Sequence, residues 1–389
     1  MSDDKLKICH IITRMIVGGA QENTLLTILG QLELGHEVAL VTGPSLGPEG
    51  KLLERRKNLP KFEVMETPSL VRELNPGKDF AAYRELKAYL KAGGFDVVHT
   101  HSSKAGIVGR AAATAAGVPY VVHTVHGQAF HAYEKPWKNW LYRHLERWAA
   151  RRCHKIYAVA QAMVDQCVAA GVAPAEKYKV VYSGMDLEPF LNSSRDLAQR
   201  ERLGIPLKGP VVGAVARLFP LKGYEQFVPM AALVAKERPD VTFLVVGDGL
   251  MRAELEAKIA GLGLADNFVF AGLVPPEEVP PLIAQMDVLA HLSLREGLPR
   301  VVVQALASGK PALGFKLDGT PEVIRDGQTG HCAAAEDVEA VAAAALKLLG
   351  DPAELERMGR NGRELVRERF DWRRMAAILT DDYRQGLGR

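Results

Sequence analysis

The sequence predicts an α/β protein built of two doubly wound, Rossmann-like units, each a parallel sheet wrapped by helices. Two observations carry that prediction. Short β-branched runs alternate with Ala/Leu/Gly-rich stretches at helical spacing through the first half, and the same alternation restarts after a polar stretch at 187–208. The length of 389 residues leaves room for two to three domains at roughly 150 residues each.

In order, the strand runs of the first half are KICHIIT at 7–13, EVALVTG at 37–43, FDVVHTH at 95–101, YVVHTVH at 120–126 and KIYAV at 155–159. The second half gives PVVGAVA at 210–216, VTFLVVG at 241–247, NFVFAG at 267–272, MDVLAHL at 286–292 and KPALGF at 310–315. The end of the chain is helical in composition, with Trp372, Met375 and Leu379 at spacings that share a face able to pack on either domain. These runs bound an N-terminal domain at 1–186, a linker at 187–208, a C-terminal domain at 209–365 and a final helical segment at 366–389. Ligand loops of two such open sheets sit at the carboxyl ends of the strands, so a cleft between facing sheets is the expected site.

Composition removes several functions. With 49 Lys+Arg against 46 Asp+Glu and a formal charge of +3, the chain lacks the excess of cations that nucleic-acid binding requires. Before about residue 190 there are 24 basic and 19 acidic residues and after it 25 and 27, so the first domain is the basic one. Cys9, Cys153, Cys167 and Cys332 are scattered and fit neither a disulfide framework nor a zinc site. The MSDDKLK start has no leader pattern, and no run reaches about 18 consecutive apolar residues. A soluble, cytoplasmic protein is expected.

Five groups of residues are placed to carry chemistry. Gly18 and Gly19 follow the first strand at the entrance to a helix, where bare N–H groups and the positive end of the dipole suit a diphosphate; the same pair could form only a turn. Arg217 and Lys222 share the loop after the first strand of the second domain, shaped by Pro220 and Gly223. A guanidinium fork and a lysine point charge there suit a leaving diphosphate, and could equally be two solvated loop cations; no D-x-D motif accompanies them to hold a metal. Glu296 precedes a helix that starts near Arg300, in position to accept hydrogen bonds from a hydroxyl-rich ligand or simply to complement the helix dipole, with Gln304 two turns up that helix, where it could cap nothing at all.

Of 11 histidines, all but His291 and His331 lie in the first half. His99, His101, His123, His126 and His131 cluster at strand ends without a carboxylate or cysteine at ligand spacing, so the expectation is cleft-lining polar side chains and no metal. His126, beside Gly127, is the one best placed to reach a substrate; each of the others could equally be a satisfied structural histidine. Finally, 137–155 puts Trp137, Trp140, Leu141 and Trp148 on one helical stripe among Lys138, Arg143, Arg147, Arg151, Arg152 and Lys155. Such a stripe either rests on an anionic membrane surface or, in the ordinary case, faces the core.

Taken together, GGAQ, VVHTHSSKAG, HTVHG, YSGMDLEPF, ARLFPLKG, VVGDG, REGLPRVVVQALASGKP and GTPEVIRDGQTG resemble, in order from about residue 8 to the end, the retaining, GT-B-fold glycosyltransferases of family 4. The resemblance implies an N-terminal acceptor-binding domain, a C-terminal domain that binds a nucleoside-diphosphate sugar, with UDP or GDP expected, and a final helix that crosses back to the first domain. By the same resemblance, Gly18 and Gly19 approach the donor diphosphate, Arg217 and Lys222 neutralise it as it leaves, Glu296 holds a hydroxyl of the transferred sugar and His126 sits beside that sugar. Asp248, Gly297, Leu298 and Gln304 complete the implied donor site. The catalytic set is thus His126, Glu296, Arg217 and Lys222, with no cofactor and no metal.

One departure matters. The family's E-x7-E pattern stands here as Glu296-x7-Gln304, so a neutral amide replaces the carboxylate that would meet the nucleotide ribose. The junction also has Ser183-Gly184-Met185-Asp186 where Asn-Gly-Val-Asp is common, a tolerated turn variant. The implied role is envelope or extracellular polysaccharide or glycolipid synthesis, with a sugar or lipid-linked acceptor and a peripheral position on the inner face of the membrane. A non-catalytic nucleotide- or sugar-binding protein and a nucleotide-sugar epimerase are the alternatives.

Overall fold

A computed structural model describes residues 5–45, 50–56 and 58–389; residues 1–4 of the MSDDKLK start lie outside the described residues. The chain divides into two units, Met1–Met185 with Asp371–Arg389, and Asp186–Phe370. Each holds one parallel α/β sheet.

In the first unit the strands are β1 (Lys7–Arg14), β2 (Glu37–Gly43), β3 (Glu63–Glu66), β4 (Val97–His101), β5 (Tyr120–Val125), β6 (Lys155–Ala158) and β7 (Tyr178–Val180). They lie in the order β3-β2-β1-β4-β5-β6-β7, and every neighbouring pair is parallel. Six consecutive residues of β1 are buried, as a strand covered on both faces requires. The five apolar runs became strands, whereas β3 (EVME) and β7 (YKV) escaped the sequence reading. They are short edge strands, and pairing with a neighbour, not an apolar pattern, creates them.

Helix Gly19–Glu33 covers one face of this sheet, together with helix Trp372–Leu387 from the end of the chain. Leu26, Trp372, Met375, Leu379 and Tyr383 pack there against Ile8, Val97 and Val122. The last helix starts where Asp371 accepts from Arg373 N–H at 2.8 Å and Arg374 N–H at 3.1 Å. The final segment expected at 366–389 is therefore divided: residues up to Phe370 end the helix Pro352–Arg369 of the second unit, and the cap at Asp371 begins a new helix in the first.

The second unit holds β8 (Val211–Val215), β9 (Thr242–Val246), β10 (Phe268–Gly272), β11 (Val288–His291), β12 (Ala312–Phe315) and β13 (Gly330–Ala333), ordered β10-β9-β8-β11-β12-β13, all parallel. Its core joins Val212, Phe243 and Leu313 to Phe227, Val234 and Leu348. Strand β13 (GHCA) was not legible, being another short edge. The 187–208 stretch, expected as a linker, carries helices Glu188–Leu191 and Leu197–Arg202 and belongs to this unit. Phe190, Arg200 and Ile205 are buried, so it packs as structure despite its polar composition.

Candidate functional site

In each sheet the order reverses between two central strands, β1 and β4 in the first and β8 and β11 in the second. Outside the carboxyl ends of such a pair the following loops part to opposite faces and leave a ligand-sized crevice. The residues singled out in the second half fall on the β8 and β11 loops.

There the ammonium of Lys222 donates to Glu296 Oε1 at 2.6 Å, joining the two loops by an ion pair that is roughly three-quarters buried on both sides. The backbone fixes this meeting. Leu294 N–H and the Ser293 hydroxyl both donate to Leu221 C=O at 3.0 Å. Gly223 has φ +88°, and a Cβ on it would lie 2.2 Å from the Leu292 carbonyl carbon, so only glycine allows the loops this close. Leu221 itself adopts φ +68°, a strained conformation for a residue with a Cβ. Glu296 N–H donates to Asp318 Oδ2 at 2.8 Å, which sets the orientation of the residue from the loop after β12.

The remaining expected positions surround this pair. Arg217 is exposed on the β8 loop, its guanidinium 5.1 Å from the centre of the Phe219 ring. Asp248 lies on the loop after β9, where its C=O accepts from Leu218 N–H at 3.0 Å and its carboxylate from Gly249 N–H at 2.7 Å. Gly297 and Leu298 are buried between Glu296 and the helix Arg300–Ala307, and Gln304 is half-buried on that helix. The structure thus brings Lys222 and Glu296 into direct contact, with Arg217, Asp248 and Gln304 on the neighbouring loops and helix.

Sequence reasoning passed over two neighbours. Asp318 stands one residue before the GTPEVIRDGQTG motif, and no signal in the sequence marks it. His291, at the end of β11, is 6% exposed with Nε2 unpartnered among the described residues. Burial drives its pKa down to about 4, Glu296 opposing the shift and Lys222 adding to it. It is a neutral ring under the ion pair.

At the switch point of the first unit, Gly18 is extended and caps the helix Gly19–Glu33 through its C=O, which accepts from Glu22 N–H at 2.9 Å. Gly18 is half-buried and Gly19 exposed. Thr13 and Ser102 hydroxyls, at the ends of β1 and β4, lie 2.8 Å apart. The histidines depart from the expectation of a polar lining. His99 and His101 are fully buried and His123 nearly so, because β4 and β5 are central strands covered on both faces. His126, one residue past β5, is half-buried and hydrogen-bonds through Nε2 to His101 Nδ1 at 3.0 Å.

His10, His99 and His101 have ring nitrogens within 4.8 Å of one another, a grouping that a metal could use. Here each of their six ring nitrogens already has a hydrogen-bond partner, and no carboxylate belongs to the group. The donor set is committed elsewhere.

The tryptophan stripe also departs from its ordinary reading. On helix Pro136–Ala150 only Ala149 and Ala150 are buried, while Trp137, Trp140 and Trp148 are 60%, 60% and 39% exposed. The helix packs against helix Ser103–Ala116, where Arg110 donates to Glu146 Oε2 at 2.7 Å, and the indoles are exposed. The Arg152 guanidinium sits 3.6 Å from the centre of the Trp148 ring. No helix among the described residues is long and apolar enough to cross a membrane.

Residues 196–365 match the family described as "Glycosyl transferases group 1", and residues 18–184 match a "Glycosyl transferase 4-like domain". The chain is 31% identical over 290 residues to a 2-deoxystreptamine glucosyltransferase of Streptomyces kanamyceticus, covering 73% of this chain and 75% of that one. It is 28% identical over 371 residues, 94% of each, to the UDP-Gal:alpha-D-GlcNAc-diphosphoundecaprenol alpha-1,3-galactosyltransferase of Escherichia coli. Among solved structures, Anabaena Alr3699/HepE in complex with UDP superposes with a TM-score of 0.80 at 25% identity, covering 97% of this chain and 99% of that one.

Proposed function

Because the chain belongs to the glycosyl transferases group 1 family and is a GT-B glycosyltransferase of nucleotide sugars, we propose that it moves a sugar from a UDP-sugar to an acceptor hydroxyl with retention of configuration and without a metal ion. The observation that carries this reading is the Lys222–Glu296 pair at the second switch point. An ammonium has three N–H donors, and Glu296 takes one, leaving two for phosphate oxygens. Arg217 on the same loop adds the second cation. The carboxylate of Glu296 accepts from hydroxyls of the transferred sugar, and Gln304 pairs with the ribose diol as a neutral partner. Asp248, Gly297 and Leu298 line the donor, and the Gly18–Gly19 turn is assigned to phosphate.

Double displacement with retention needs a carboxylate nucleophile and a second carboxyl group as acid and base. Glu296 is held by Lys222, and Asp318 is turned to the Glu296 amide. We therefore assign a front-face transfer. The bond from the anomeric carbon to the diphosphate oxygen breaks, the acceptor oxygen bonds to the same face, and the acceptor proton passes to the departing diphosphate. Stabilising that leaving group is the main electrostatic task.

UDP is preferred over GDP on the strength of the relatives' named donor and ligand. Calorimetry with UDP, GDP, ADP and dTDP, with and without EDTA, should give EDTA-insensitive binding selective for UDP that is lost in Arg217→Ala. Selectivity for another nucleotide overturns the donor assignment. Binding with neither transfer nor donor hydrolysis would leave a non-catalytic binding protein.

The exposed indoles extend the reading to the acceptor. Trp137, Trp140 and Trp148 beside Lys138, Arg143 and Arg151 fit the headgroup region of an anionic leaflet, which supports a lipid-linked acceptor, a peripheral position on the cytoplasmic face and a part in envelope polysaccharide or glycolipid synthesis. The protein should co-sediment with phosphatidylglycerol vesicles at low salt, and replacing the three tryptophans by serine should abolish this. Equal recovery of both proteins in the supernatant removes the membrane assignment.

A further inference from the structure

Three buried histidines of the first unit, His10, His99 and His101, belong to one continuous hydrogen-bond chain that reaches His126. Side chains alternate along a strand, so Ile8, His10 and Ile12 share a face with Val97, His99 and His101, and with Val122 and Thr124, in the observed register. Helices Gly19–Glu33 and Trp372–Leu387 close that face with Gln31 and Tyr383, both fully buried. The links are His126 Nε2 to His101 Nδ1 at 3.0 Å, His101 Nε2 to His10 Nδ1 at 2.9 Å, and His10 Nε2 to Gln31 Oε1 at 2.8 Å. From there Gln31 Nε2 reaches the Tyr383 hydroxyl at 3.5 Å, which lies 2.5 Å from His99 Nδ1, and His99 Nε2 lies 2.6 Å from Thr124 Oγ1.

Burial keeps His10, His99 and His101 neutral, with His10 held to about 4 and the other two well below the usual imidazole value. A neutral imidazole donates through one nitrogen and accepts through the other. Once one link has a direction, every link has it.

Tyr383 supplies the direction. Its phenol is a stronger hydrogen-bond acid than an imidazole N–H, and an imidazole nitrogen is a stronger base than a phenol oxygen, so at 2.5 Å Tyr383 donates to His99 Nδ1. His99 then donates from Nε2 to Thr124. The phenol oxygen accepts from the Gln31 amide N–H, which turns Gln31 Oε1 to His10. His10 donates to it from Nε2, His101 donates from Nε2 to His10, and His126 donates from Nε2 to His101. Chains of this kind polarise cooperatively.

We propose that Tyr383 and Gln31 are positioning residues that hold His126 with its proton on Nε2, so that Nδ1 is the nitrogen that accepts a hydrogen bond from a substrate hydroxyl. The inference rests on the reading that His126 meets substrate. It assigns a task to a tyrosine 257 positions away in sequence, through side chains that touch no ligand.

Long-range proton–nitrogen correlation on the full chain with ring-labelled histidine tests it directly at neutral pH. His10, His99, His101 and His126 should all show the Nε2–H form. An Nδ1–H form or an even mixture at His126 in the wild-type protein overturns the proposal, whatever any variant does. Tyr383→Phe removes one oxygen and should leave His126 in both forms, with kcat lowered up to about tenfold, the worth of one net hydrogen bond, and KM for the nucleotide sugar unchanged. In a His126→Ala background the same substitution should change kcat less than about twofold. An undiminished loss there would mark Tyr383 as merely structural and overturn the positioning role. Wild-type kcat in His126→Ala alone removes the substrate contact on which the inference rests, an outcome separate from the tautomer spectrum.

Discussion

Lys222 and Glu296 are 74 residues apart and meet at 2.6 Å because the loops after β8 and β11 emerge side by side where the strand order reverses. Both side chains stay partly solvated, so the pair itself adds little to folding stability. On the proposed reading its consequence is kinetic. Lys222→Ala or Arg217→Ala should lower kcat roughly 10²- to 10³-fold, the usual effect of removing a group that stabilises charge in the transition state, with little change in melting temperature. Wild-type turnover in either variant would remove these residues from the mechanism. Residue types in sequence singled out Lys222, Arg217 and Glu296 as candidates, since cations on a strand-end loop and an acid before a helix can meet a ligand as well as solvent or a helix dipole. They could not select Asp318, whose task is to accept one backbone N–H, or His291, which is set apart only by its burial at the end of β11.

At the scale of elements, the docking of helix Trp372–Leu387 on helix Gly19–Glu33 turns on Gly30. A Cβ there would lie 2.4 Å from the Ala376 Cβ and 3.6 Å from the Trp372 ring. The helices approach so closely because two small residues face each other, and a larger one must push them apart at a cost of about 1–3 kcal/mol. Gly30→Leu should lower the melting temperature and shift the emission of the buried Trp372 to the red. Unchanged melting would mean that the helix pair tolerates separation. The shared face of Trp372, Met375 and Leu379 was legible from spacing, while its partner was not, since an apolar stripe does not say which surface it covers. The tryptophan helix shows the same limit in reverse: an apolar stripe at 137–148 is exposed, because that helix packs through other positions against helix Ser103–Ala116.

Across the whole molecule, buried neutral histidines are unevenly shared. His10, His99, His101 and His123 lie in the first unit and His291 in the second. His10 and His291 are held to about 4 against 6.5 for the free group, and His99, His101 and His123 are lowered as well. The unfolded chain therefore takes up these protons first. Their contribution to stability is complete above about pH 6.5 and is withdrawn as pH falls toward 4, by about 3 kcal/mol at most for His10 or His291. The first unit should fail first in acid. All four tryptophans lie in it, so emission follows that unit while far-ultraviolet dichroism follows both. In urea, the emission midpoint should fall below the dichroism midpoint on going from about pH 7.5 to about pH 5. Coincident midpoints at the lower pH would refute unequal acid sensitivity.

The sequence by itself determined the two-sheet architecture, the strands buried on both faces and the strand-end loops on which Gly18, Lys222 and Glu296 lie, since all of these follow from local periodicity. Edge strands β3, β7 and β13, the split at Asp371, the packing of 187–208 and the outward tryptophans were decided only by the tertiary structure. So was the chain from Tyr383 through Gln31 to His126. Each depends on which surface a segment meets, and burial, strand pairing and the direction of a hydrogen bond are properties of two partners that a single stretch of sequence does not contain.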